Sequence, residues 1–343
     1  MKAYEVGPQT GLDSLHAVTR ETPKPGFGEV LLKTRLVSLN NRDIQVLEGR
    51  YGAKKAENRI PVSEGVGEVV ELGAGVSGGV NGLSLGDRAV FAHFVNWIDG
   101  AFSLSHFGTD YGITHDGWLA EYICVPAAAL VKVPESLSDE QVAPLASSAL
   151  TAWHAVVEVG QIKASDTVLA LGTGGVAIWA LQIAKAHGAR VIITSSSDEK
   201  LELARKLGAD ITINYRTNPD WEAEVMKATD GAGADIIVET GGYDTHAKSV
   251  LAAAANARIS FISVAPREGA PAINIGLVIY KNLVLKGIAE GSRAMLARLV
   301  RTIEQQNIQP VIDSTFAFDE APAAYARLKS GGHVGKILIR VSE

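Results

Sequence analysis

Four stretches in the first third of the chain alternate apolar and polar residues with the period of two that a half-buried strand requires. They are residues 29–39 (EVLLKTRLVSL), 67–72, 88–93 and 119–125 (LAEYICV), set apart by Gly, Pro and Asp. A glycine-rich stretch, 73–86, reads as a connecting loop closed by Gly86-Asp87-Arg88. Together these predict an all-β, barrel-like module. From Asp139 the period changes to that of a helix, and strand–helix units then repeat. Strands are predicted at 167–171, 190–195, 211–214, 235–239 and 257–264, with helices at 176–187, 199–207, 221–229 and 245–255. Such alternation predicts a parallel, doubly wound sheet. A helix at 319–330 and a strand at 335–341 (GKILIRV) close the chain, and that strand is expected to rejoin the β-rich module. The expected class is α/β: a doubly wound domain at 144–288 set into a discontinuous β-rich domain at 1–143 and 289–343.

The most specific chemistry lies in TVLALGTGGVAIWALQIAKA, residues 167–186, where an apolar strand runs through a glycine turn into an amphipathic helix. The turn, Gly172-Thr173-Gly174-Gly175-Val176-Ala177, has G-x-G-x-x-A spacing. Gly172 allows the tight exit from the strand, Gly174 carries no Cβ to hold a pyrophosphate away, and Ala177 lets the helix pack close. Phosphates then sit at a helix N-terminus, beside Gly175 and Val176, where free N–H groups and the helix dipole favour anions. The turn reads as a dinucleotide site. An enzyme that chelates the ribose 2′-hydroxyl needs an Asp or Glu about twenty residues further on. This chain offers Ser195, Ser196 and Ser197, then Asp198, Glu199 and Lys200. Small hydroxyls leave room for a 2′-phosphate, and Lys200 and Tyr215 can reach it, so NADP(H) is expected over NAD(H). The alternative is that the serines only cap the next helix. Gly241, in Glu239-Thr240-Gly241-Gly242, would let a loop approach the adenosine or ribose, and Val264, ending the next strand, would touch the nicotinamide end.

At 343 residues the chain is long enough for two domains. Its 32 Lys and Arg against 38 Asp and Glu give a formal charge of −6, with no basic run, which argues against nucleic acid or an anionic membrane as partner. No apolar stretch approaches a membrane span and the N-terminus does not resemble a signal peptide. The one cysteine, Cys124, excludes an intrachain disulfide and a cysteine-rich zinc lobe. A cytoplasmic enzyme acting on a small molecule is the expected class.

Several segments beyond the glycine turn carry a family resemblance. They are Val37-Ser38-Leu39-Asn40-Asn41-Arg42-Asp43, Gly65-Val66-Gly67-Glu68-Val69, Leu150-Thr151-Ala152-Trp153, Lys206-Leu207-Gly208-Ala209-Asp210 and Gly335-Lys336. Over essentially its whole length the chain resembles the medium-chain dehydrogenase/reductase superfamily, and within it the zinc-independent, quinone-oxidoreductase-like branch that includes zeta-crystallin. The resemblance implies a Rossmann domain and a GroES-like catalytic domain. It places Asn40, Ser63 and Ser147 where zinc alcohol dehydrogenases carry Cys, His and Cys, with only Glu64 kept. Zinc wants thiolate, imidazole or carboxylate, so no zinc is expected. The stretch matching the structural-zinc lobe, 92–117, is aromatic and polar; its His93, His106 and His115 have no standard ligand spacing.

The resemblance also sets Asn40 beside the nicotinamide, Tyr51 at the border of the substrate pocket and Thr151 against the nicotinamide ring. It makes residues 282–288 a sheet extension across a homodimer axis. From the residues alone, Asn40-Asn41-Arg42-Asp43 reads equally as the turn and cap of a helix at 44–48. Trp97, Phe102, Phe107 and Tyr111 either line the acceptor pocket or pack their own loop. Without a Lewis acid, simple alcohol oxidation is hard, whereas a quinone or α,β-unsaturated carbonyl delocalises the incoming charge itself. The expected activity is therefore NADPH-dependent hydride transfer to such an acceptor. The alternatives are a zinc-free alcohol or aldehyde oxidoreductase, and an NADPH-binding regulatory or structural protein.

Overall fold

The computed structural model describes residues 1–52, 56–76, 82–262 and 268–342. The chain forms two compact units, one of residues Met1–Leu150 with Glu290–Glu343, the other of Thr151–Ala289. The first boundary falls at 150 and not at 143, because residues 144–150 pack with the β-rich unit.

The β-rich unit is built on a seven-stranded sheet. Six strands run in the order Ile312–Ala317, Lys336–Arg340, Glu29–Ser38, Gly65–Leu72, Arg88–Phe91 and Leu130–Lys132; Tyr122–Pro126 also pairs with Glu29–Ser38. Glu29–Ser38 is the hub, with ten residues mostly buried on both faces. Gly65 and Gly67 are glycines for a packing reason. A Cβ on Gly65 would come within 3.0 Å of Trp118 and 2.9 Å of the Leu36 carbonyl, and one on Gly67 within 2.9 Å of the Lys33 carbonyl. Trp118 can therefore lie flat on the sheet, stacked on Phe91 with ring centroids 4.8 Å apart.

Two elements near the C-terminus add to those the sequence pattern predicts. The helix Arg293–Gln306 starts at Ser292, whose hydroxyl accepts from the Met295 amide, and buries Met295, Leu296, Leu299, Val300 and Ile303 along one face. The strand Ile312–Ala317 runs parallel to Lys336–Arg340, which pairs antiparallel with Glu29–Ser38. The last strand thus rejoins the β-rich sheet, as its apolar pattern predicts.

The second unit is a six-stranded, wholly parallel sheet ordered Ile211–Asn214, Arg190–Ser195, Thr167–Ala170, Ala234–Glu239, Ala253–Phe261 and Val284–Gly287. Helices Gly175–Ala186, Asp198–Lys206, Trp221–Ala228 and Tyr243–Ala252 connect the first five strands. The strand order reverses between Thr167–Ala170 and Ala234–Glu239, the switch point at which such sheets bind ligands. The glycine turn leaves the sheet there.

Three local expectations need correction. The helix after Asn40 begins at Asn41, not at Ile44, because the carboxylate of Asp43 accepts the Asn40 amide hydrogen at 2.7 Å and starts it a turn early. Thr151 does not open a helix; it lies within a continuous helical run, Asp139–Val159, that alternates α and π turns. That run is also long and apolar enough to cross a membrane by length and composition, but 89% of its apolar window is buried inside the structure, as in a core helix.

Candidate active site

The glycine turn is an open cradle. Gly172 takes φ +82°, a left-handed conformation that other residues adopt only under strain, and its N–H donates to Thr194 Oγ1 at 3.2 Å. The Thr173 and Ser195 hydroxyls lie 3.3 Å apart, fastening the turn to the neighbouring strand. Gly174 caps the helix Gly175–Ala186 in an extended conformation, and among the described residues a Cβ on either Gly172 or Gly174 would meet nothing within 4 Å. The free space lies over a helix N-terminus whose first amides, at Gly175, Val176 and Ala177, have no partner within the helix. The cradle fits a dinucleotide pyrophosphate.

Ser195 pairs with Asn214 across the parallel strands, so Ser196 and the half-exposed Tyr215 follow side by side at the sheet edge. Ser197 does cap the helix Asp198–Lys206, accepting from the Lys200 amide at 3.4 Å. Asp198 is held by the Asn214 side-chain amide at 2.8 Å. Capping thus engages Ser197, while Ser196 remains beside Tyr215. Gly241 has a local explanation. The buried Glu239 carboxylate accepts from the Gly241 and Gly242 amides and from Thr245, and a Cβ on Gly241 would strike Thr245. Thr151 is buried. Val264 lies outside the described residues.

In the β-rich unit, Asn40 stands at the end of the hub strand in a cluster of buried charge. Its Oδ1 accepts from Lys336 Nζ at 2.7 Å and its Nδ2 donates to Glu64 Oε1 at 2.8 Å. Lys336 Nζ also donates to Glu64 Oε1 at 2.6 Å and to the Leu39 carbonyl at 2.7 Å, while Glu64 Oε2 accepts the Ser147 amide hydrogen at 2.7 Å. Ser147 Oγ accepts from Arg42 Nη2 at 2.7 Å and donates to Glu290 Oε1 at 2.7 Å, and Arg42 pairs with Glu290. The Arg42 guanidinium stands 6.0 Å from the centre of the Tyr51 ring.

Burial pushes the Asp43 carboxyl up to about 6, against the Asn40 amide, Arg42 and Lys336, which pull it down. His93 is buried, with Nδ1 against the Tyr111 carbonyl at 3.0 Å; burial and then the Arg42 charge keep it neutral. The backbone of Asn40 begins the helix, while its side chain is fixed by two charged residues. Arg42, Glu290 and Lys336 were missed as site residues. Lys336 left one signal, an ionic residue opening the apolar run KILIR.

The presumed zinc positions do not fit zinc. An amide and two hydroxyls stand at three of them, and the remaining carboxylate, Glu64, is paired with an ammonium that also holds Asn40. Among the described residues, no group of three His, Cys, Asp or Glu could hold a metal ion. The aromatic insertion packs on itself. Phe102 meets Trp97, Phe94 and Phe107 edge-on at 5.1–5.9 Å, His106 stacks on Trp97, and Trp97 Nε1 donates to the Gly100 carbonyl. Tyr111 is buried against Phe91, and its hydroxyl donates to the Cys124 carbonyl at 3.3 Å. Burial raises the pKa of that phenol, so it does not serve as a ready acid.

Residues 26–135 match the alcohol dehydrogenase GroES-like domain family, and 175–305 match the family described as zinc-binding dehydrogenase. A zinc-type alcohol dehydrogenase-like protein of Schizosaccharomyces pombe is 38% identical, over 97% of this chain and 96% of its own length. An acryloyl-coenzyme A reductase of Metallosphaera sedula is 29% identical, over 93% of this chain and 94% of its own. The crystal structure of a putative alcohol dehydrogenase from Sinorhizobium meliloti superposes with a TM-score of 0.89 at 37% identity, covering 98% of both chains. With a parallel sheet switching at a glycine cradle, a GroES-like β-rich unit and relatives of this identity over its full length, the chain belongs to the medium-chain dehydrogenase/reductase superfamily of oxidoreductases.

Proposed function

We propose that this oxidoreductase is an NADPH-dependent, zinc-independent reductase of the quinone-oxidoreductase-like branch, acting on a quinone or α,β-unsaturated carbonyl. One observation carries the reading: the Lys336 ammonium is hydrogen-bonded to both Asn40 and Glu64, at the positions that would otherwise face a metal. NADPH is supported by the absence of an acid at the end of Arg190–Ser195 and by Ser196, Lys200 and Tyr215 around that strand end.

A bound reduced nicotinamide supplies the hydride, two electrons and a proton's mass in one transfer. The protein orients and stabilises. Asn40 can face only one way, because its Oδ1 must meet the ammonium and its amino group the carboxylate. Its second Nδ2 hydrogen has no protein acceptor recorded among the described residues and is offered to the acceptor's oxygen. As hydride reaches the acceptor carbon, the π electrons move onto that oxygen. A proton from water completes the reduction, since the Asp43 carboxyl is turned to the Asn40 backbone amide at the start of its own helix.

The test is a screen of protein stripped with a strong chelator against quinones, enones, aldehydes and alcohols, run with NADPH and NADH. We expect quinones or enones to turn over, with NADPH preferred and no loss on stripping. About one tightly bound zinc per chain, whose removal ends turnover, would restore a metal mechanism. No turnover of any acceptor would leave a dinucleotide-binding regulatory or structural protein.

The same reading includes a homodimer. The edge strand Val284–Gly287 lies next to the helix Ile275–Tyr280, whose Ile279 and Tyr280 are 75% and 86% exposed. Among the described residues Val284–Gly287 ends the sheet, and a terminal strand flanked by apolar side chains suits pairing with a second copy across a two-fold axis. Sedimentation should give twice the chain mass, and Ile279→Asp should give the monomer. A monomeric parent protein would remove this part of the reading.

A further inference from the structure

The geometry points to Arg42 as the cation that receives the acceptor's oxygen, an inference that rests on the reductase reading above. The cluster around Asn40 holds two cations, and they differ in what they have left to give. Lys336 has three N–H donors, and all three are committed: to the Leu39 carbonyl, Asn40 Oδ1 and Glu64 Oε1. Its side chain is 3% exposed, so it orients Asn40 and can bind nothing further.

Arg42 has five N–H donors in a rigid plane. The bonds to Ser147 Oγ and Glu290 both leave from Nη2; among the described residues none is recorded from Nη1 or Nε. Its side chain is 13% exposed, buried enough to be held and open enough to be reached. Pinning one nitrogen of a planar fork fixes the direction of the others. The guanidinium carbon also lies 6.0 Å from the centre of the Tyr51 ring, a cation–aromatic contact that further fixes its plane.

Charge supports the same assignment. Asp43, Glu64 and Glu290 are all buried in this cluster, and negative charge developing on an acceptor oxygen would meet three carboxyl groups. Asn40 is neutral and offers a single hydrogen. A guanidinium edge adds positive charge and one or two further donors, which a low-dielectric site makes more effective than in water. Arg42 thus does for the electron-rich oxygen what a metal does in a zinc enzyme, by hydrogen bonding and not by coordination. The hydride's electron pair becomes the new C–H bond, the displaced π pair ends on that oxygen as an enolate or phenolate hydrogen-bonded to Arg42, and water then supplies the proton.

The competing account makes Arg42 a tie between its helix and Ser147 and Glu290. Four variants separate the two: Arg42→Met, Arg42→Lys, Glu290→Gln, and the double variant Arg42→Met with Glu290→Gln, which removes both partners of that ion pair together. Each is measured for urea midpoint, NADPH affinity and kcat/KM on whichever acceptor the parent protein reduces. We expect the double variant to fold and bind NADPH as Glu290→Gln does, yet to lose about a hundred- to a thousandfold in kcat/KM relative to it, the usual effect of deleting one such donor. Arg42→Lys should stay within tenfold of Arg42→Met, because an ammonium held by Glu290 lacks the second edge. Millimolar methylguanidinium should restore at least tenfold to the double variant and nothing to the parent. A double variant with kcat/KM within threefold of Glu290→Gln overturns the inference. So does a loss that Arg42→Lys repairs and methylguanidinium does not. Should the parent reduce only an aldehyde, the quinone or enone reading fails while the Arg42 test proceeds unchanged on that aldehyde. A protein that reduces nothing overturns both.

Discussion

Replacing Lys336 with Met should destabilise the β-rich unit by roughly 3–5 kcal/mol, the usual cost of removing one partner from a buried ion pair. Glu64 is fully buried, and its carboxylate takes donors from Lys336, Asn40 and the Ser147 amide. Without Lys336 the two amide donors remain, but the charge has no counterion, and Asn40 and the Leu39 carbonyl each lose a donor. The charge should drive the loss more than the missing methylene packing does, since Met fills most of the same volume. Adding Glu64→Gln to Lys336→Met should therefore recover at least half of it. Urea unfolding of the four proteins of this cycle gives the coupling directly. A Lys336→Met protein within about 1 kcal/mol of the parent would mean that Glu64 is already neutral, and the picture of a fixed ammonium–carboxylate pair would fall.

Gly174→Val should remove dinucleotide binding while leaving the fold nearly untouched. Gly174 has φ −78° and ψ −177°, open to any residue, and a Cβ there would meet no atom of the described residues within 4 Å. Among the described residues nothing packs against this position, and a bound dinucleotide is the expected reason for glycine there. The stability cost should be no more than about 1 kcal/mol, the difference between glycine and valine as a helix cap. NADPH affinity, read by fluorescence titration, should fall at least about a hundredfold, roughly 2.7 kcal/mol. Gly172→Ala makes the useful contrast. Its φ of +82° strains any side chain, so that variant should lose about 1–2 kcal/mol of stability before any ligand is added. Unchanged NADPH affinity in Gly174→Val would move the pyrophosphate away from this turn.

Wherever the chemistry was local, the sequence by itself determined the result. The alternation of strands and helices after Asp139 gave a parallel sheet because a buried strand followed by an amphipathic helix has few other ways to cover both faces. The glycine spacing from Gly172 to Ala177 gave the cradle, since the strand exit, the close approach and the helix start are all decided within six residues. At Asn40, Ser63 and Ser147, which the resemblance sets at the zinc positions, the expectation of no metal rests on residue type, since a hydroxyl or amide is a poor zinc ligand in any fold. Less was legible where a short pattern had several physical outcomes. The helix at Arg293–Gln306 carries a sound apolar face, but the strand Ile312–Ala317 is only partly buried and lacks a clear period. The aromatic insertion read equally as pocket lining or as packing of its own loop, and its edge-on contacts around Phe102 appear only in three dimensions.

The charged cluster is what tertiary structure alone decided. Lys336 lies 296 residues from Asn40, yet its ammonium reaches Asn40 because the last strand pairs with the end of the hub strand, with the Leu39 amide donating to the Ile337 carbonyl. Glu290 meets Ser147 across 143 residues in the same way. Spacing along the chain carries no trace of such meetings, because a buried ion pair is selected by three-dimensional desolvation and not by local propensity. Arg42 sat in plain view within a capping turn. Its importance emerged only when Ser147 and Glu290 pinned one of its nitrogens, and Lys336 proved to have no donor left.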